Sequence, residues 1–247
     1  MKNRWLVCPQ PNSSATARLF VFPYTGGAPS SFNKWIAEFP NTIEVSIVHY
    51  PGRGSRFNES LIKDLFVLVE EIANAIQPEL DKPFFFFGHS FGAVLAFEVA
   101  RRISPQPQIL FVSACGAPHV PNPNRPIHAL PDSEFIRSLQ ELNGLPTEVA
   151  SNAELMELLL PVLRADFEAA ESYQYTSNEH RLGCPIIAFG GTDDFHVDRD
   201  RLEGWGCQTK GRFKSQIFSG DHFFINTARQ SVIASMVAEI TSSHAKG

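Results

Sequence analysis

One stretch constrains this chain more than any other: Pro83-Phe84-Phe85-Phe86-Phe87-Gly88-His89-Ser90-Phe91-Gly92, followed by a helical pattern from Phe91 to Ile103. The four phenylalanines form a continuous apolar run, which suits a strand buried on both faces. Gly88-His89-Ser90-Phe91-Gly92 then has the Gly-x-Ser-x-Gly spacing of a sharp strand-to-helix turn. Such a turn holds its serine in a strained backbone conformation, and the residues two before and two after it must be small. It lifts the hydroxyl above the sheet, beside a helix N-terminus whose N–H groups can face an oxyanion. A nucleophilic serine at position 90 and an α/β-hydrolase type of fold are the first expectations.

The rest of the chain has the matching rhythm. Apolar strand patterns are expected at Arg18 to Tyr24, Ile43 to Tyr50, Phe84 to Phe87, Ile109 to Ala114, Pro185 to Phe189 and Phe213 to Phe218. Between them fall helical patterns: Ser30 to Phe39, Leu61 to Ile76, Phe91 to Ile103, and Ile225 to Ile240 at the end. Strands alternating with helices predict a mainly parallel sheet covered on both faces. At 247 residues the whole chain, 1–247, reads as a single α/β domain. Residues 119–181 break the rhythm. They open with a Pro-rich stretch, Pro118 to Pro131, and continue with helices at Asp132 to Leu142 and Asn152 to about Tyr173. Pro161 inside the latter predicts a kink or a break. A helical insertion between strands is how a sheet enzyme acquires a lid.

A serine hydroxyl needs a base, and the base needs an acid to orient it. In this fold the chain order is Ser, then Asp or Glu, then His. Gly190-Gly191-Thr192-Asp193-Asp194 follows one strand and Ser219-Gly220-Asp221-His222 follows the last. Both loops lie at the C-terminal ends of strands, where open α/β sheets place their sites. His222 is therefore the expected base. His49 comes too early, His89 points away from the serine, and His119, His128 and His180 lie in or beside the insertion. His196 is too close to Asp194, and His244 is in the tail. Asp194 is the preferred acid, with Asp193 as the alternative. For the oxyanion hole, one N–H is expected from Phe91. The other is expected from Phe22-Pro23-Tyr24-Thr25-Gly26-Gly27, at Thr25 or alternatively Tyr24.

Charge and cysteines narrow the classes further. A net charge of -5 argues against nucleic acid as a partner. No apolar stretch is long enough to span a bilayer, and Met1-Lys2-Asn3-Arg4 does not open a secretory leader. Cys8, Cys115, Cys184 and Cys207 are widely spaced without a CxxC pair, so free thiols in a reducing cytoplasm are expected. Asp194 and His196 alone make a poor metal site, and no metal or other cofactor is expected. Pro51-Gly52-Arg53-Gly54 reads as a loop brace, Leu155 to Leu163 as mostly core, and Lys210, Arg212 and Lys214 as a basic cluster on a solvated strand edge.

Several of these stretches together resemble the type II thioesterases, the stand-alone editing enzymes of polyketide synthases and nonribosomal peptide synthetases. They are Phe22-Pro23-Tyr24-Thr25-Gly26-Gly27, Tyr50-Pro51-Gly52-Arg53-Gly54-Ser55-Arg56 and Phe87-Gly88-His89-Ser90-Phe91-Gly92-Ala93. Leu160-Pro161-Val162-Leu163-Arg164-Ala165-Asp166-Phe167 and Gly220-Asp221-His222-Phe223-Phe224 complete the set. The resemblance covers nearly the whole chain. It implies hydrolysis of aberrant acyl or aminoacyl thioesters on the phosphopantetheine arm of an acyl or peptidyl carrier protein. It also implies a triad at Ser90, Asp194 and His222 and an oxyanion hole at Thr25 and Phe91. A monomer is expected. Phe91 stands where the family often has Met, and Phe195 where it often has Pro. The rival readings are a carboxylesterase or acyltransferase of the same fold, and a carrier-binding module with a vestigial site.

Overall fold

A computed structural model describes residues 3–145, 147–177 and 181–244. His180, one of the competing histidines, lies outside the described residues. The sheet has seven strands in the order β1-β3-β2-β4-β5-β6-β7. They are β1 (Leu6–Val7), β2 (Ala17–Phe22), β3 (Ile43–Val48), β4 (Phe84–His89), β5 (Leu110–Ser113), β6 (Ile186–Gly191) and β7 (Phe213–Phe218). Only β1 runs antiparallel; all other pairings are parallel. This is the doubly covered α/β arrangement that the strand–helix alternation predicts.

The apolar run in β4 shows why it must be central. Phe84 and Phe86 face one core layer, while Phe85 and Phe87 face the other. Neighbouring strands alternate the same way: Phe20 and Phe22 pack with Phe86, and Leu19 and Val21 lie on the opposite side. The helices are α1 (Asn33–Ile36), α2 (Leu65–Ile76), α3 (Phe91–Arg102), α4 (Asp132–Glu141), α5 (Thr147–Ala150), α6 (Ala153–Glu171), α7 (Arg199–Glu203), α8 (Phe224–Thr227) and α9 (Arg229–His244). The buried faces of α2 and α3 cover the first layer, and those of α1 and α9 cover the second.

Several expected boundaries shift for local reasons. The helix expected from Leu61 begins at Leu65, because the Asp64 side chain caps it by accepting from the Phe66 and Val67 amides at 2.8 and 3.2 Å. Leu61 is apolar for another reason: its side chain fills the space above Gly52. The closing helix divides at Ala228 into α8 and α9. The short edge strand β1 has no counterpart among the expected strands. The Arg212 and Lys214 side chains of the basic cluster both pair with Glu239 of α9, at 2.5 and 2.9 Å.

Between β5 and β6 the described residues form helices α4, α5 and α6 and contain no strand. These helices share a small cluster of buried Phe135, Leu139, Leu145, Met156 and Leu163. α6 does not break at Pro161; it is one α-helix of 19 residues. The proline removes an N–H that would bond the Glu157 carbonyl. Pro161 and Glu157 are both exposed, so water can satisfy that carbonyl. Burial of Met156 before the proline and of Val162 and Leu163 after it holds both halves in line. Of the Leu155 to Leu163 stretch, Leu155 and Leu158 are exposed.

Candidate active site

Ser90 sits between β4 and α3 with φ 53° and ψ −119°, the strained conformation that the elbow requires. Two close approaches enforce it. A Cβ on Gly88 would lie 2.2 Å from the Gly92 carbonyl oxygen, and a Cβ on Gly92 would lie 2.0 Å from the Phe22 carbonyl oxygen. The second contact reaches beyond the elbow. It brings the start of α3 against the loop after β2, which carries Thr25. The Ser90 amide is tied to the Ser113 carbonyl at 2.8 Å, anchoring the elbow to β5.

Asp194 and His222 come from the ends of β6 and β7. These two loops meet backbone to backbone. The Thr192 amide donates to the Phe218 carbonyl at 2.8 Å and the Asp193 amide to the Gly220 carbonyl at 2.9 Å. A Cβ at Gly191 would lie 2.5 Å from the Asp221 carbonyl oxygen, so only glycine permits this spacing. The result is a continuous array. His222 Nδ1 lies 2.9 Å from Asp194 Oδ2, and His222 Nε2 lies 3.1 Å from Ser90 Oγ. Asp193 instead turns outward and accepts from the Thr192 hydroxyl.

The Asp194 side chain is fully buried. Burial works to raise its pKa, but the hydrogen bond from His222, that ring's charge and the His196 amide outweigh it. The carboxyl is held below its ordinary value and is ionised at neutral pH. The His196 amide donates to Asp194 Oδ1 at 3.0 Å, so the carboxylate is gripped through both oxygens. The His196 ring stands 6.2 Å from that of His222. Burial and the nearby His222 lower its pKa, favouring the neutral ring. His196 thus serves the site through its backbone, a role that no side-chain pattern in the sequence advertises.

His89 is wholly buried. Its ring packs 5.5 Å from His222 within a surround of Tyr24, Phe223 and Phe224, and its Nδ1 contacts Ser113 Oγ at 2.9 Å. Burial and then His222 push its pKa well down, so it braces His222 as a neutral ring.

Ser90 and His222 open onto a cavity of about 360 Å³, which Thr25 and Phe91 also line. Among the described residues the Thr25 and Phe91 amides have no hydrogen-bond partner. Tyr24, the alternative donor, accepts the Gly27 amide at 2.8 Å through its carbonyl, while its ring meets that of Phe223 edge to face. The opposite wall comes from the helical block: Leu139, Leu142 and Leu145 from α4 and its following loop, and Leu163 and Phe167 from α6. A concave, mainly apolar space that ends at a serine and two unoccupied amides, with Arg125, Glu141, Glu171 and Arg201 also on its lining, suits an acyl group whose carbonyl faces those amides. Among the described residues no His, Cys, Asp or Glu cluster has the makings of a metal site, and no helix is long and apolar enough to cross a membrane. The four cysteines are free.

Comparison with known proteins places these features in a family. The thioesterase domain family matches residues 17–241. The gramicidin S biosynthesis protein GrsT of Aneurinibacillus migulanus is 43% identical over 242 residues, covering 96% of this chain and 94% of that protein. A protein of Brevibacillus parabrevis named linear gramicidin dehydrogenase LgrE is 40% identical over 247 residues, covering 97% and 94%. The type II thioesterase BorB from the borrelidin biosynthetic cluster superposes with a TM-score of 0.87 at 32% identity, covering 95% of this chain and 96% of that one.

Proposed function

The chain belongs to the thioesterase family, and from that premise we propose that it hydrolyses aberrant acyl or aminoacyl thioesters on the phosphopantetheine arm of carrier proteins in polyketide or nonribosomal peptide assembly. The observation that carries this reading is the array Asp194–His222–Ser90, at 2.9 and 3.1 Å, opening on an apolar cavity. Its relatives support the choice of pathway, since GrsT and BorB are named for gramicidin S and borrelidin biosynthesis. The dehydrogenase name of LgrE does not alter it: no Gly-x-Gly-x-x-Gly dinucleotide fingerprint stands anywhere in this sequence.

The reaction follows from the geometry. His222 Nε2 accepts the Ser90 hydroxyl proton as Oγ attacks the thioester carbonyl. The Thr25 and Phe91 amides donate to the oxyanion that forms. Asp194 holds His222 in the tautomer with its proton on Nδ1 and stabilises the imidazolium. Collapse expels the thiolate of the phosphopantetheine arm, which takes the proton from His222. Water, deprotonated by the same ring, then attacks the acyl-Ser90 ester and releases the acid. Helices α4 to α6 act as the lid that shapes the acyl cavity, and residues 1–247 work as one catalytic unit, a monomer in the cytoplasm.

The test is release of free acid from an acyl-phosphopantetheinyl carrier protein, parent against Ser90→Ala. Release by the parent, lowered by about 10⁴-fold or more in the variant, is expected. Brisk hydrolysis of simple oxoesters with no release from carriers would reject the carrier role and leave a carboxylesterase. Transfer of the acyl group to an acceptor in place of acid release would leave an acyltransferase. Carrier binding without turnover would leave a vestigial module.

A further inference from the structure

Two sequence motifs take no part in the triad: the Pro51-Gly52-Arg53-Gly54 turn after β3, and Arg164-Ala165-Asp166-Phe167 within α6. In the fold they meet. Arg53 Nη1 donates to Asp166 Oδ2 and Arg53 Nη2 donates to Asp166 Oδ1, each at 2.7 Å. Both residues are buried, at 7% and 2% exposure. The same Asp166 Oδ2 accepts the Gly26 amide at 2.7 Å. Arg53 Nη1 also reaches the Gly27 carbonyl at 3.3 Å. The guanidinium lies 5.2 Å from the centre of the Tyr50 ring, and the Tyr50 hydroxyl donates to the Pro23 carbonyl at 3.0 Å. Burial pushes the Tyr50 phenol well above its ordinary pKa, which keeps that donor protonated.

A buried ion pair is a poor way to gain stability, because desolvation of both charges offsets most of their attraction. What it supplies here is placement. Thr25 lies between Pro23, fixed by Tyr50, and Gly26, fixed by Asp166. The loop cannot slide toward α6 either. Leu163, one turn before Asp166, lies where a Gly26 Cβ would approach its Cδ2 to 2.6 Å. The carboxylate that fixes the loop belongs to the helical block, and the arginine that orients it belongs to the sheet.

We propose that Asp166, clamped by Arg53, is a positioning residue for the oxyanion hole, setting the Thr25 amide so that catalysis requires α6 to be docked. The proposal rests on the reading of Thr25 and Ser90 given above. Oxyanion contacts are stronger in the transition state than in the bound thioester. Misplacing the amide therefore lowers kcat and leaves KM nearly unchanged.

The experiment uses the full chain, a hexanoyl-N-acetylcysteamine thioester and butaneboronic acid. The boronic acid adds Ser90 Oγ to boron and places a tetrahedral oxygen where the oxyanion would lie. Asp166→Asn keeps the side-chain shape and loses the charge. The expected result is kcat lowered about 10–100-fold, less than loss of a whole oxyanion donor, with KM within about threefold. The inhibition constant of the boronic acid should weaken by the same factor as kcat. A lower melting temperature with kcat and boronate affinity unchanged would overturn the proposal and leave a purely structural pair. Should Asp166→Asn not fold, Arg53→Lys decides, since lysine keeps the charge but cannot span both carboxylate oxygens. The same parallel loss supports the proposal, and unchanged kcat overturns it. A parent that neither hydrolyses the thioester nor binds the boronic acid would refute the functional reading itself, an outcome distinct from either.

Discussion

The cavity has two walls held by different physics. On the sheet side, Ser90, Asp194 and His222 are placed by backbone against backbone. Gly92 meets the loop after β2 and Gly191 meets the loop after β7, at distances no side chain would allow. On the helical side, α4 to α6 are held by side chains around a small cluster of their own, with Leu155 and Leu158 left exposed. Such a fold can vary more freely on its helical side than at the elbow. Ser90, Asp194 and His222 are fixed by contacts that tolerate no added carbon atom. The acyl wall is fixed by packing that accepts other apolar shapes at modest cost.

On the sheet side, Asp194→Asn should have the strongest effect. The amide turns His222 toward the wrong tautomer, and kcat should fall by about 10³–10⁴-fold with the fold intact. Steady-state hydrolysis with a circular dichroism spectrum checks both halves. The same variant carries a pH signature. The Asp194 carboxyl is lowered from an ordinary value of 3.8 in the folded protein. Its contribution to stability is therefore complete above that pH and is lost as pH falls through the lower folded value. The melting temperature of Asp194→Asn should accordingly fall less steeply than the parent's below about pH 4.

Gly92→Ala comes next, as a test of the sheet side's rigidity. Its Cβ would lie 2.0 Å from the Phe22 carbonyl oxygen, and a loss of more than about 3 kcal/mol is expected in chemical unfolding. Near-parent stability would show that the elbow yields, and would break the comparison. On the helical wall, Phe135→Ala removes a fully buried ring. It should cost up to about 3 kcal/mol, at the low end for such a change because the cluster is small. It should also alter relative kcat/KM across acyl lengths while leaving the pH dependence of kcat in place. Smallest of all is Leu158→Ser, at an exposed position, expected within about 0.5 kcal/mol of the parent.

Much of the sheet side is legible in the sequence because its constraints are local. The phenylalanine run marks a strand buried twice over, and glycines flanking Ser90 mark a turn whose sterics leave few alternatives. His222 follows from chain order and from its place after the last strand, while the acid narrows to Asp194 or Asp193 in the loop after β6. What stays hidden is long-range or weakly patterned. β1 has two residues and no periodicity, and it is recognised only when the Trp5 carbonyl accepts the His49 amide and the strand pairs with β3. Pro161 reads as a kink or a break, yet burial on both sides of it carries α6 through as one helix. Leu61 has helical spacing but serves as a cover for Gly52. Arg53 and Asp166 are 113 residues apart, and no spacing rule links them. His196 contributes an amide, which every residue but proline carries.

In the proposed reaction, Ser90 carries the acyl group between two half-reactions within this two-walled cavity. Rapid mixing of the protein with an acyl-phosphopantetheinyl carrier protein, followed by acid quench and mass spectrometry of the peptides, tests it most directly. A burst of free thiol and an acyl mass on the peptide containing Ser90, absent in Ser90→Ala, are expected. Turnover with no covalent species, or an acyl mass on another residue such as Cys207, would contradict it.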